Sequence, residues 1–523
     1  MKNKIVGIFV CMLLIATAVP VVTSLKNSAI NTTVPSTPLT SMAGSWSEEQ
    51  KLFASDGAAQ DQFGFNVVID GDTVLIGAWL DNDNGFDSGS AYVFTRTNTT
   101  WTQQAKLLAS DGAAGDGFGY SVALSGDTAL IGAIEDDDNG VDSGSAYVYT
   151  RTGTTWTQQA KLLASDGAAG DVFGNNVFLD GDSAIIAAGL DDDNGNDSGS
   201  AYVFTRTGIS WTQQAKLLAS DGAAGDQFGC AVSLAGDTAL IGAPWHDDNR
   251  VDSGSAYVFT RTGSNWTQQA KLLASDGAAG DVFGYLVFLD ADTALIGAPG
   301  YDDNGYSSGS AYVFTRTGSN WTQQAKLLAS DDAAGDSFGT SVALNGDTAL
   351  IGAPFDDDNG YNSGSAYVFT RTGSNWTQQA KLLAPDGAKR DQFGIYVFLT
   401  EDTALIGAYM DDYNGVNSGS AYVFTKGGIG IDITGGLGVN TAITNHEITN
   451  ITDITWQIHV EGGILGRINK TMNGTIDIPA GGSKTLGTGI LFGFGAISIT
   501  VKVADYERTA KGKQLIIFSI VKK

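Results

Sequence analysis

Residues 101–155 read WTQQAKLLASDGAAGDGFGYSVALSGDTALIGAIEDDDNGVDSGSAYVYTRTGTT. Copies of this stretch follow one another without an insertion. Trp46, Trp101, Trp156, Trp211, Trp266, Trp321 and Trp376 are each 55 residues apart. The Phe-Gly pairs from Phe63 to Phe393, and the Ser-Gly-Ser-Ala-Tyr-Val strings from Ser88 to Ser418, keep the same spacing. A period of this size belongs to solenoids, propellers or arrays. Over one period from Phe118, the runs Phe118 to Leu124, Thr128 to Ala133, Ser145 to Thr150 and Trp156 to Ala164 read as four short strands. Gly/Asp/Asn turns separate them, and no run keeps a helical period. One four-stranded sheet cannot bury both of its faces. Stacking copies around an axis does so and hides most edges.

The ends of the array argue for closure. It starts at Trp46 with a fourth-type strand and stops at Thr425 after a third-type strand. The strand from Trp46 to Ala54 can therefore complete the last blade and clasp a ring. The expected fold is all-β, a closed seven-bladed β-propeller over residues 46–426. Lys51, Lys106, Lys161, Lys216, Lys271, Lys326 and Lys381 fall mid-strand on the outermost strand. Charge there discourages edge-to-edge pairing with other chains, and that is the role expected of them.

The strings Phe118-Gly119-Tyr-Ser-Val-Ala-Leu, Ala129-Leu-Ile-Gly-Ala133 and Gly144-Ser-Ala-Tyr-Val-Tyr149 resemble the FG-GAP repeat, the blade of integrin alpha-subunit propellers and of many prokaryotic surface proteins. Repeats four to six match fully, ending in Pro244, Pro299 and Pro354. The others carry Trp79, Ile134, Gly189 or Tyr409 there. The resemblance implies a seven-bladed propeller used in adhesion or recognition. Calcium-binding integrin-like blades carry a long Asp-rich loop between the first two strands. Here that connection is only Ser125-Gly126-Asp127 or its equivalent, so the family's calcium site does not transfer.

The acids sit elsewhere. In an antiparallel blade, the second-to-third loop and the link to the next blade share one rim. That rim collects 37 acids against Arg250, Lys389 and Arg390. Such self-repulsion is destabilising unless cations screen or bind it. The loop Glu135 to Asp142 offers Asp136, Asp138, Asn139 and Asp142 as candidate oxygen ligands for calcium, with Gly140 allowing a sharp turn. Its equivalents are Asp191, Asp193, Asn194 and Asp197 in blade three and Asp81, Asp83 and Asp87 in blade one; blade seven places Tyr413 at a ligand position. The alternative is turn chemistry, since Asx side chains bond the backbone and Gly takes positive φ. Calcium is thus a candidate cofactor. Trp245, His246, Asp111 and Asp116 are candidate ligand contacts on the same rim.

The whole chain of 523 residues holds 29 Lys+Arg, 57 Asp+Glu and 3 His, a formal net charge of -28. That balance argues against nucleic acid as a partner, because phosphate needs clustered cations. Lys2 and Lys4 precede an apolar run from Ile5 to Val22, the layout of a secretory signal over residues 1–24. Residues 25–45 read as a flexible lead-in, and no segment of the mature chain is expected to cross a membrane. Cleavage would leave Cys230 as the sole thiol. His246, His446 and His459 lie in unrelated contexts, so no catalytic triad or His-metal set is expected, and the protein is not read as an enzyme. The departures from the repeat (Cys230, Trp245, His246, Arg250, Lys389, Arg390) are scattered along the chain. Asn265, Asn320 and Asn375 are sequons at an exposed hairpin, as in a secreted glycoprotein.

From Gly427 the repeat stops, and nine bases face seven acids. Ile429 to Ile433, Thr455 to Val460, Gly474 to Ile478, Ala496 to Val503 and Leu515 to Val521 read as strands, predicting a small Ig-like β-sandwich over 427–523. The expected function is a secreted or cell-surface recognition or adhesion protein that binds a protein or glycan through the acidic rim. The alternative is a structural surface-layer or matrix component.

Overall fold

A computed structural model describes residues 46–523 except 98, 249, 303–304, 428, 435–438, 446–450, 463–467, 479–482, 489–492, 504–505, 517 and 523. The expected leader and lead-in, residues 1–45, lie outside the described residues, as does His446. The chain divides into two compact units, Glu48–Phe424 and Thr425–Lys523.

One blade is formed by four strands, Phe118–Ser125, Thr128–Ala133, Ser145–Thr152 and Thr155–Leu162, hydrogen-bonded in chain order. Ser125 pairs with Thr128, leaving a two-residue turn whose first member, Gly126, takes φ +56. Gly at that place suits the twist of a hairpin. All six residues of the second strand are buried, because neighbouring blades cover both of its faces. Its sequence, Thr-Ala-Leu-Ile-Gly-Ala, is accordingly apolar without alternation. The fourth strand alternates partly and keeps one side wet. In five of the other blades the first strand begins four residues beyond the Phe of the Phe-Gly pair, for example Val67–Asp70. Gly64, at φ +90, turns the chain out of the ladder there.

The seventh sheet is the clasp. Trp46–Leu52 pairs with Ser420–Lys426, followed by Thr403–Ala408 and Val397–Leu399. Blade junctions repeat the same backbone bonds: Phe118 N–H donates to Ser88 O at 3.0 Å, and at the closing junction Phe63 N–H donates to Ser418 O, also at 3.0 Å. Each Phe packs edge-on against the third-strand Tyr of its own blade, as Phe118 does on Tyr147 at 5.4 Å. The ring is therefore shut by the same contacts that join adjacent blades.

The second unit has two sheets. One holds Ile429–Thr434, Asn440–Asn445 and Ser483–Gly487; the other runs Ile468–Ile478, Ile451–Gly462, Gly493–Val503, Tyr506–Ile516, Phe518–Lys522. Val439 and Ile443 share a core with Ile458, Ile476, Ile499 and Val501, so the sheets face each other as a sandwich. The expected strand Leu515 to Val521 is instead a hairpin corner, with Leu515 paired to Phe518.

Candidate functional site

The acidic rim is organised around lysine. Lys161 leaves the outermost strand and carries its ammonium to Asp111 (3.0 Å), Asp136 (2.8 Å) and Asp138 (2.7 Å). Lys106, Lys216 and Lys381 repeat this with three carboxylates each at 2.6–2.9 Å. The Tyr147 hydroxyl lies 3.0 Å from Asp111 Oδ1 and 2.9 Å from Asp136 Oδ2. In the seventh blade Lys51, from the clasp, pairs with Asp386 and Asp411. These lysines are not edge guards, as their strand position suggested. A flexible four-carbon stem takes the charge off the edge and into the rim. Burial opposes the charge on Lys161, but hydrogen bonds to Asp136 and Asp138 outweigh it and raise its pKa. Burial likewise opposes ionisation of Asp111, and Lys161 and Tyr147 more than offset it.

The candidate cation ligands divide accordingly. Asp136 and Asp138, Asp191 and Asp193, and Asp81 and Asp83 hold a lysine. Asn139 gives its amide N–H to Ala164 O at 3.2 Å, and Asn194 does the same to Ala219 O. Asp87, Asp142 and Asp197 take φ +55 in the turn. A calcium ion at the carboxylates would have to displace a bonded ammonium. In blade four His246 replaces the buried Asp, and among the described residues Asp221, His246 and Asp248 are the group whose ligand atoms lie within 4.8 Å of one another. Lys271 is bonded to both of those Asp residues. Trp245 is half-buried beside them. Lys161→Met leaves Asp136, nearly buried, facing Asp138 and Asp111 without a cation. We expect a loss of about 3 kcal/mol in chemical denaturation, partly restored by millimolar calcium; a loss too small to resolve would refute the lysine-centred account.

The link acids form a second set. Asp116 is buried and accepts Ala113 N–H at 2.7 Å, closing the link turn. Its equivalents Asp61, Asp171, Asp281 and Asp391 are pushed up to about 6 by burial, which the backbone donor only partly offsets. Burial raises Asp336 and Glu135 to about 7, with neighbouring carboxylates adding to it. A carboxyl whose folded pKa is raised binds more protons folded than unfolded, so stability falls as pH climbs from about 4 through 7. The melting temperature at pH 5 should exceed that at pH 8 by ~5 °C. A flat or opposite profile between those values would contradict this.

The divergent residues are not scattered in space. Two positions after each Phe of the Phe-Gly pairs stand Phe65, Tyr120, Asn175, Cys230, Tyr285, Thr340 and Ile395. The ring closure brings all of them around one cavity of about 80 Å³ on the axis. The next residues along, among them Asn66, Asn176, Leu286 and Tyr396, form its lower wall. Asn176 donates to the Tyr396 hydroxyl at 2.9 Å. Enclosure pushes the Tyr396 phenol up to about 12. Below that bond lies an apolar chamber, where Phe288 meets Phe178 at 5.8 Å and Phe398 at 5.5 Å. Trp79 and Tyr409 buttress the upper mouth against Phe65. Asn175 is held by Gly189 N–H and by the Gly229 carbonyl. The signal was present in the sequence: this position carries six residue types in seven copies, whereas Trp-Thr-Gln-Gln-Ala-Lys-Leu recurs unchanged in six.

The FG-GAP repeat profile matches residues 46–94, 101–149, 156–204, 211–259, 266–314, 321–369 and 376–424. No curated protein matches the chain. Among solved structures, a chain of the one described as "Crystal Structure of Mitotic Checkpoint Complex" is 12% identical, with 76% of this chain and 98% of that chain covered and a TM-score of 0.44. With seven matched repeats, each holding the outermost strand of one blade and the first three strands of the next, the chain belongs to the FG-GAP repeat family.

Proposed function

We propose that this is an exported recognition protein, secreted or held at the cell surface, that binds a protein or glycan ligand at the acidic face of its propeller and does not turn it over. The observation that carries this reading is where the copies differ. They are nearly identical where blades pack and diverge around an axial cavity that their side chains leave unfilled. Selection for packing alone gives no reason to leave such space, since close-packed interiors gain from filling it.

The loop tips add to the argument. Phe86, Val141, Val251, Tyr306, Tyr361 and Val416 occupy one repeat position and are 48–75% exposed. Their backbones already serve the fold, as in Gly115 N–H to Phe86 O at 2.9 Å, and apart from Tyr361, whose ring lies under the Lys389 ammonium, the side chains point to solvent. Apolar side chains ringed by charge suit a contact surface. In this proposal the lysines supply the cation that the carboxylates need, and calcium is not required for folding. Screening the full chain on protein and glycan arrays, then repeating each hit with Phe86→Ser and Tyr306→Ser together, tests the reading. Saturable binding supports it; no saturable hit would favour a structural matrix component. A melt with and without chelator should give the same midpoint.

A further inference from the structure

We propose that Asn265, Asn320 and Asn375 are acceptors of N-linked sugar, carried on one sector of the rim opposite the acidic loops. The inference rests on the export reading above and adds a modification to it. Nine Asn-X-Ser/Thr triplets occur in the chain. Those at Asn31, Asn98 and Asn450 lie outside the described residues. The rest are separated by whether the fold leaves both the amide and the hydroxyl free. Asn196 is bonded through its amide to the Asp197 carboxylate, and Ser198, 1% exposed, donates its hydroxyl to Asp191 O at 3.1 Å. Behind Asn469, the Thr471 hydroxyl lies 2.7 Å from His459 Nδ1. Asn473 is exposed but sits mid-ladder, opposite Gln457.

The three propeller triplets read Asn-Trp-Thr and open the outermost strand of blades four, five and six. Asn265 pairs with Thr262 across the turn Gly263–Ser264, where Gly263 takes φ +66. Side chains alternate along a strand, so Asn265 and Thr267 face water while Trp266 turns into the blade and donates to Gln214 at 2.9 Å. None of the three Asn amides has a hydrogen-bond partner among the described residues. Other blades carry Thr100, Thr155 or Ser210 there, so the fold does not call for an amide. The Thr267 hydroxyl is also unbonded, Thr322 reaches Thr315 O only at 3.5 Å, and Thr377 accepts from Gln379. Because Asn opens the strand, a transferase needs to loosen only the end of the hairpin.

The donor is a lipid-carried glycosyl phosphate, supplied with its membrane transferase by the export route. Asn Nδ2 bonds to the anomeric carbon, the bond from that carbon to the phosphate oxygen breaks, the phosphate leaves with the electron pair, and the nitrogen gives up one proton. Blades four, five and six are neighbours, joined by the bridges Gly254 to Phe283 and Gly309 to Phe338. Their acceptor hairpins share a rim with the Arg261–Asp237 pair (2.7 Å), away from the carboxylates that hold Lys271. Sugar there leaves the proposed ligand face bare. It also stands beside the outer strand edges, which the lysines do not guard.

Trypsin releases the same peptide, TGSNWTQQAK, from all three sites, whereas cleavage before aspartate gives 252–275, 303–330 and 358–385, which differ. The full chain is expressed in a host that N-glycosylates its exported proteins, once with its own leader and once with a host leader in place of residues 1–24. Exported protein is then mapped by mass spectrometry. We expect sugar masses on those three peptides and none at Asn196. Asn265→Gln and Thr267→Val should each remove the addition from 252–275 alone, and Thr267→Ser should keep it. Each should melt within ~2 °C of the parent, since these side chains are exposed. Exported protein with bare hairpin peptides would overturn the inference and leave the recognition reading standing. Sugar on Asn196 but not on the hairpins would overturn it as well. Export with the host leader alone would refute the export reading, while the peptides would still decide the acceptor sites.

Discussion

Deleting residues 46–54 should abolish the folded propeller rather than trim it. The segment is short, but it supplies the fourth strand of the seventh sheet, paired along Ser420–Lys426. Leu52 and Ala54 within it are 1% and 2% exposed. Lys51 brings the ammonium that Asp386 and Asp411 share, and Asp411 is buried. Removal exposes a strand edge, uncovers apolar surface and leaves a buried carboxylate unpaired. Burial of a leucine is worth about 2 kcal/mol, and an orphaned buried charge costs about 3–5 kcal/mol. Their sum alone approaches the whole stability of an ordinary domain, about 5–15 kcal/mol. We expect aggregation during expression or a melting temperature lowered by more than ~10 °C. A synthetic peptide spanning 44–56, added during refolding, should recover part of the soluble protein. A deletion variant that stays monomeric and melts within a few degrees of the parent would show that the ring does not depend on its clasp.

The second large effect falls on one glycine. Gly89 adopts φ +80, and a Cβ built there would lie 2.0 Å from Phe118 O and 2.5 Å from Phe118 N of the next blade. Both obstacles are backbone and cannot swing away. Gly89→Ala must part the two blades or break their parallel bridge, Gly89 to Phe118. We expect a loss above ~3 kcal/mol, the range of a forced core overpacking combined with left-handed strain. Gly126→Ala is the control. Its φ is +56, but nothing lies within 4 Å of the added methyl, so only the conformational cost of about 1–2 kcal/mol applies. Equal losses in the two variants would mean that blade-to-blade contact is not what the glycine preserves. The same contact recurs at Gly419 against Phe63, so Gly419→Ala should strike the clasp junction in the same way.

Much of this architecture is readable in the primary structure because the information is local and repeated. Strand runs, two-residue turns and a 55-residue period are properties of neighbouring residues. The offset between Trp46 and Thr425 already states which strand is missing and where its replacement lies. The lysines were harder. Lys161 meets Asp136 25 residues away and Asp111 50 residues away, and strand position indicates only where its Cα sits. The length of the side chain, not its place on the strand, takes the charge to the rim. The candidate ligand loop was legible as acidic and turn-rich. That its carboxylates face a lysine while Asn139 faces a backbone carbonyl depends on how the adjacent link packs.

In the second unit, the expected strands lie within observed ones, apart from the bend between Leu515 and Phe518. Which sheet each joins was not legible. Ile468–Ile478 remains with its hairpin partner Ile451–Gly462, while Ser483–Gly487 crosses to Asn440–Asn445. Alternating side chains announce a buried face but do not name the strand beside it.

The order of residues was sufficient for the blade, its number and its closure, since each follows from short-range chemistry repeated at a constant interval. The axial mouth could arise only in three dimensions. Phe65 and Tyr285 are 220 residues apart, and they meet because every blade places its first strand nearest the axis. Convergence at a distance is a property of the closed ring, and no stretch of chain shorter than the ring contains it.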